Sequence, residues 1–162
     1  MVSAKPDRQK AAEIVCDVGG TIVGRTRLQK VGYLLELAGL GDGFHFEYKH
    51  YGPYSEELAE GVRLARAFGL VEEQERPTGW GGFYSIYTVQ SEAEIQGSKK
   101  RAEFAREAAG ISAIELELLA TAAYLHVEEN CEDPWSETKR RKPEKAREVL
   151  DTNIFELLPN LC

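Results

Sequence analysis

Between Gly19 and Val89 the hydrophobic period changes repeatedly, and glycine, proline or a capping residue marks each change. That order of elements constrains the fold more than any single motif. Thr21-Ile22-Val23 is β-branched and short, which suits one small strand. Thr26 opens a capping box with Gln29, and Leu28, Val31, Leu34, Leu35 and Ala38 then share one helical face. Gly39 and Gly41 stop that helix. Phe44 to Tyr51 alternates aromatic and charged residues, as an extended segment does, and Gly52-Pro53 reads as a turn. Ser55 predicts a helix N-cap, with Glu56 and Glu57 favourable against the helix dipole. Leu58, Val62, Ala65 and Phe68 continue that helix, and Gly69 followed by Leu70 closes it. Val71 to Glu75 and Phe83 to Val89 predict two strands joined by the loop RPTGWGG, a hairpin.

Ahead of this stretch, Asp7 can cap a helix whose apolar face is Ala11, Ile14, Val15 and Val18, ended by Gly19-Gly20. From Gly19 to Val89, short strand, helix, aromatic loop, helix and hairpin is the order of a winged helix. The expected fold class is α+β, mostly α: a winged-helix-like domain over residues 1–90 and a helical extension over residues 91–162. In the extension, Ser91 with Glu94 and Ser112 with Glu115 predict capping boxes, and Ile114, Leu118, Leu119, Ala122 and Leu125 form an apolar stripe. Residues 130–136 read as a loop, and Pro143 can start a last helix through Val149 and Leu150. These helices either pack on the first domain or mediate a homodimer.

With 43% hydrophobic and 29% charged residues, the chain has the composition of a globular protein and not of a disordered one. No apolar run approaches the roughly 20 residues that span a bilayer, so no membrane contact is expected. The three cysteines, Cys16, Cys131 and Cys162, are an odd number at unrelated spacings. They argue against a disulfide framework and for the cytoplasm.

The chemistry-bearing motifs each have a plainer reading. Asp17-Val-Gly-Gly-Thr21 looks like the phosphate loop of actin-like sugar kinases, but that loop follows a strand, and here the preceding spacing is helical. The two glycines are better read as a helix end. His45, His50 and His126 have no metal-ligand spacing, and Ser55 lies in no nucleophile elbow. No catalytic residue, cofactor or metal is therefore expected, and the chain is read as a non-enzyme. Lys139-Arg140-Arg141-Lys142 is a basic tetrad, more simply a solvated segment balanced by Glu137 and Glu144.

Two binding classes remain. The net charge is −7, from 20 basic and 27 acidic residues, which leans against nucleic acid. In a winged helix on DNA, the helix before the wing enters the major groove with its N-terminal end toward the bases. Glu56, Glu57 and Glu60 would stand there, and Glu72, Glu73 and Glu75 on the adjoining strand, where affinity requires neutralised phosphates. The aromatic density beside arginine suits a protein interface instead. The expected protein-interaction residues are Arg27, Lys30, Tyr48, Tyr51, Tyr54 and Trp80. The alternative, a transcriptional regulator on duplex DNA, would use Arg25, Arg27, Lys30, Arg63, Arg66 and Arg76, because residues 1–35 carry more basic than acidic side chains.

Arg27-Leu28-Gln29-Lys30 with Tyr33, then Tyr51-Gly52-Pro53-Tyr54-Ser55 and a helix ending Phe68-Gly69-Leu70, resembles the Panacea-domain family and, more closely, a set of YwgA-like bacterial proteins. The likeness covers roughly residues 8–90. It extends more weakly to His126 and Asp133-Pro134-Trp135. What the resemblance implies is a small bacterial or phage protein that acts by binding: an antitoxin whose partner is a toxin, or an adaptor that delivers one to a protease.

Overall fold

A computed structural model describes residues 5–49, 52–89 and 99–147. Seven helices and five strands follow one another among them, an α+β arrangement that is mostly helical. Helix α1 (Asp7–Asp17) leads through Gly19 and Gly20, both at positive φ, into strand β1 (Thr21–Val23) and helix α2 (Arg25–Leu37). A short hairpin of β2 (Glu47–Lys49) and β3 (Gly52–Tyr54) precedes helix α3 (Glu56–Ala67). Strands β4 (Val71–Pro77) and β5 (Phe83–Val89) form the long hairpin. Helices α4 (Lys99–Ala109), α5 (Ala113–Val127), α6 (Pro134–Arg141) and α7 (Pro143–Ala146) complete the chain.

The three-stranded sheet is antiparallel in the order β1-β5-β4, with Ile22 opposite Tyr87 and Glu73 opposite Tyr87 on the other side. Ser85, Tyr87 and Val89 alternate inward along β5 and are buried, the period of two that a half-covered sheet requires. α1 packs on α3, α4 lies against α1 and α2, and α5 lies against α2 and β3. One cluster of buried side chains runs through all of them, from Ile14, Leu28 and Leu34 to Leu58, Phe104, Leu118 and Leu119.

Two helix caps expected from the sequence are made: the hydroxyls of Ser55 and Ser112 accept from the N–H of Leu58 and Glu115. Two are not. Asp7 lies inside α1 behind Pro6, with no side-chain cap. α2 begins after Gly24 at φ 99°, and Thr26 does not cap it. Gly52-Pro53 lies in strand β3 rather than in a turn, and residues 134–141 form helix α6 where the sequence predicts a loop and a basic run. The capping box at Ser91, the stretch through Val149 and Leu150, and His50 and Cys162 lie outside the described residues.

Aspartate 17 does not face a phosphate site. It is buried at the end of α1, where its carboxylate accepts from Nε of Arg101 on α4 at 2.5 Å. Arg101 also reaches Asp42 at 2.9 Å and so ties α4 to the loop after α2. That loop is folded around Glu36, whose Oε1 accepts from the backbone N–H groups of Asp42, Gly43 and Phe44 at 2.8–3.0 Å. Among the described residues no single helix is long and apolar enough to cross a membrane; α4 and α5 reach that composition only together, bent by 117°.

Candidate functional site

Helix α2 carries the residues of the sequence motif, and most of them hold the fold. Leu28 is core. The Gln29 side-chain amide donates to the Ser55 carbonyl at 3.0 Å and its oxygen accepts from the Ser55 N–H at 2.8 Å. Both backbone groups are buried, so one glutamine satisfies a donor and an acceptor that water cannot reach. This is why Gln29 is unavailable to a capping box. Lys30, expected on an interaction surface, is only 2% exposed. Its Nζ donates to the Pro53 carbonyl at 3.0 Å. Burial pushes its pKa down to about 8, against the pull of the Glu117 carboxylate. Glu117 is itself buried on α5 beneath Lys142 and Lys145. A side chain at Gly52 would press on Thr121 and Lys30, so the β2–β3 hairpin can lie this close to α2 and α5 only with glycine there.

The remaining expected contact residues scatter. Arg27 is half-buried and its Nη1 donates to the carbonyls of Ala109 and Ile111 at 2.8 and 2.6 Å, clamping the turn between α4 and α5. Tyr48 is half-covered, its ring 5.6 Å from Tyr124 and overlaid by the Arg141 guanidinium at 5.2 Å. Tyr51 lies outside the described residues. Among the described ones, Trp80 alone stands free of the fold. It is 89% exposed at the tip of the β4–β5 hairpin, with Phe83 beside it at 71% and Tyr84 at 40%. The loop under Trp80 is pinned by Thr78, whose N–H donates to the Gly82 carbonyl while its hydroxyl accepts from the Gly82 N–H. Phe83 and Tyr84 belonged to the predicted strand, but alternation alone does not reveal that a strand's end projects past its core.

Three arginines of the DNA alternative, Arg25, Arg63 and Arg66, are paired with carboxylates. Arg25 donates to Glu73 at 3.0 Å and lies 3.8 Å from Glu75. Arg66 lies 3.5 Å from Glu73, and Arg63 pairs with Glu60 at 2.5 Å. Arg76 is bonded to Gln74 at 3.1 Å. Burial alone would raise the Glu73 pKa, but hydrogen bonds from Ser85 and Arg25 outweigh it and leave the pKa lowered. Arg25 and Arg66 therefore face solvent with their charge shared by one largely buried carboxylate.

Between α2, α3 and β3–β5 lies a cleft of ≈ 390 Å³. Its walls are Leu28, Ala59, Val62, Tyr54 and Tyr87, and Arg25, Lys49, Arg63, Lys30 and Glu73 supply its charges. A second depression, lined by Phe83, Tyr84 and Glu75, shares Arg25 and Thr26 with it, so the start of α2 stands between the two. No group of His, Cys, Asp and Glu able to hold a metal ion occurs among the described residues. Comparison with protein-family models, with curated proteins and with solved structures gave no match to this chain.

Proposed function

We propose that the chain is a non-enzymatic winged-helix protein that binds a protein partner through the β4–β5 hairpin, as an antitoxin or proteolytic adaptor would bind a toxin. The winged-helix reading rests on the order of elements from α1 to β5 and on the β1-β5-β4 sheet. The observation that carries the binding reading is the exposed aromatic group of Trp80, Phe83 and Tyr84 on a pinned loop. Large aromatics left in water cost solvation unless a partner covers them, and tryptophan and tyrosine are common anchors at interface centres. The arginines of the DNA alternative favour the protein reading over the regulator reading, because Arg25 and Arg66 already face the largely buried carboxylate of Glu73.

The test places a photo-crosslinking amino acid at Phe83 in cells and identifies the adduct by mass spectrometry. A single dominant protein adduct that disappears in a Trp80→Ala background, with the melting temperature within about 1 °C of wild type, is the expected result. Fluorescence anisotropy with random duplex DNA supplies the counter-test. Tight binding at low salt that collapses at physiological salt, with no protein adduct, would replace this reading with that of a DNA-binding regulator.

A further inference from the structure

We propose that the cleft between α2, α3 and the sheet is a binding site for a small organic anion with an apolar body. The site is distinct from the hairpin surface and does not depend on the protein-binding reading. Its ≈ 390 Å³ falls within the range of small-molecule sites, which are mostly apolar with a few convergent polar groups. Here Leu28, Ala59 and Val62 form an aliphatic wall, and Tyr54 and Tyr87 add ring surface. The charges are unequal: Arg25, Lys30, Lys49 and Arg63 line the cleft against the single carboxylate of Glu73.

The cations differ in what they can give. Lys30 is committed to Pro53 at the buried side. Arg63 pairs with Glu60 and Lys49 with Glu56, both exposed pairs, and the Lys49 ammonium also lies over the Tyr54 ring at 5.1 Å. Such pairs contribute little and exchange readily for another anion. Arg25 uses Nε on the Tyr87 hydroxyl and Nη2 on Glu73, which fixes the guanidinium at the mouth. α2 also starts at this mouth with Gly24 as its N-cap, which offers no side chain to its first N–H groups. A carboxylate or sulfonate at the mouth would meet the positive end of α2 and compete with Glu60 for Arg63, while its apolar part displaced water from the wall. A neutral molecule of the same shape would gain only the second term.

The probe is 8-anilinonaphthalene-1-sulfonate, whose fused rings carry one sulfonate, titrated into the full chain and followed by fluorescence. The expected result is one saturable site per chain, displaced by decanoate at least tenfold more effectively than by 1-decanol. Ala59→Phe, which fills the cleft from α3, should abolish the signal. Arg63→Glu should weaken binding about fivefold, and Trp80→Ala should leave it unchanged. Should Ala59→Phe lose its cooperative melting transition, Thr26→Trp at the mouth takes its place. Binding that survives the filling variant, exceeds one probe per chain, or yields equally to decanol and decanoate would overturn the proposal. Loss of binding in Trp80→Ala would do the same, since it would place the probe on the hairpin.

Discussion

Lysine 30 shows how far a residue's surroundings can move its role. A lysine after a leucine-glutamine pair reads as a surface cation, because lysine is seldom fully buried without a partner. Here the partner is a backbone carbonyl, that of Pro53, and the charge is balanced at longer range by Glu117. The sign of its effect on stability follows from the folded pKa of about 8, below the ordinary 10.5. Below pH 8 both folded and unfolded chains hold the proton, and the full cost of burying the charge is present. Between pH 8 and 10.5 the unfolded chain binds more protons, so folding stability rises with pH across that window. Lys30→Met removes the titration. Urea midpoints at pH 7.5, 9 and 10 should show wild type gaining on Lys30→Met by on the order of 3 kcal/mol in total. A constant difference across those pH values would mean that Lys30 titrates normally.

Elements were legible where a local signal and a tertiary demand agreed. Ser55 and Ser112 cap as expected: their hydroxyls accept from the N–H groups of Leu58 and Glu115, and that of Ser112 also donates to the Glu115 carboxylate. The cap at Thr26 fails because Gln29, its expected reciprocal partner, is drawn to the backbone of Ser55 26 residues away. Helix α6 escaped notice for a different reason: over the eight residues of Pro134–Arg141 only Thr138 is buried, so there is no apolar period to see. The usable signal was Asp133 before Pro134, an N-cap followed by proline in the first turn. Of the six expected interaction residues, Trp80 is the one left on open surface among those the structure describes. Arg27 belongs to the framework instead. Its guanidinium reaches the carbonyls of Ala109 and Ile111, so Arg27→Met leaves the α4–α5 turn without a donor. The expected loss is about 1.5–3 kcal/mol, the range for hydrogen bonds to a charged group. Hydrogen exchange should localise the lost protection to the end of α4 and the start of α5. Unchanged stability would return Arg27 to the list of contact residues.

At the scale of the molecule, the sharpest question is whether the first ninety residues can stand without the helices that follow. The sequence suggested a boundary there because the strand period ends at Val89 and a helical period begins. The burial pattern ignores that boundary. Phe104 on α4 and Leu116, Leu118, Leu119 and Leu125 on α5 are each at most 4% exposed, and their helices lie on α1, α2 and β3. At about 1.5–3 kcal/mol for each large side chain buried, these five alone contribute on the order of 10 kcal/mol. That matches the whole stability of an ordinary domain, about 5–15 kcal/mol. Removing them also strips cover from Leu34 and Leu35 on α2, breaks the Arg27 clamp, and unpairs buried Asp17 from Arg101. An unpaired buried carboxylate is costly in its own right. A chain stopped after Gln90 should therefore show no cooperative thermal transition and poorly dispersed amide resonances, while the full chain melts in one step. A sharp transition for residues 1–90 alone would show instead that α1 to β5 hold an independent core, and that the later helices cover a surface the first part can expose.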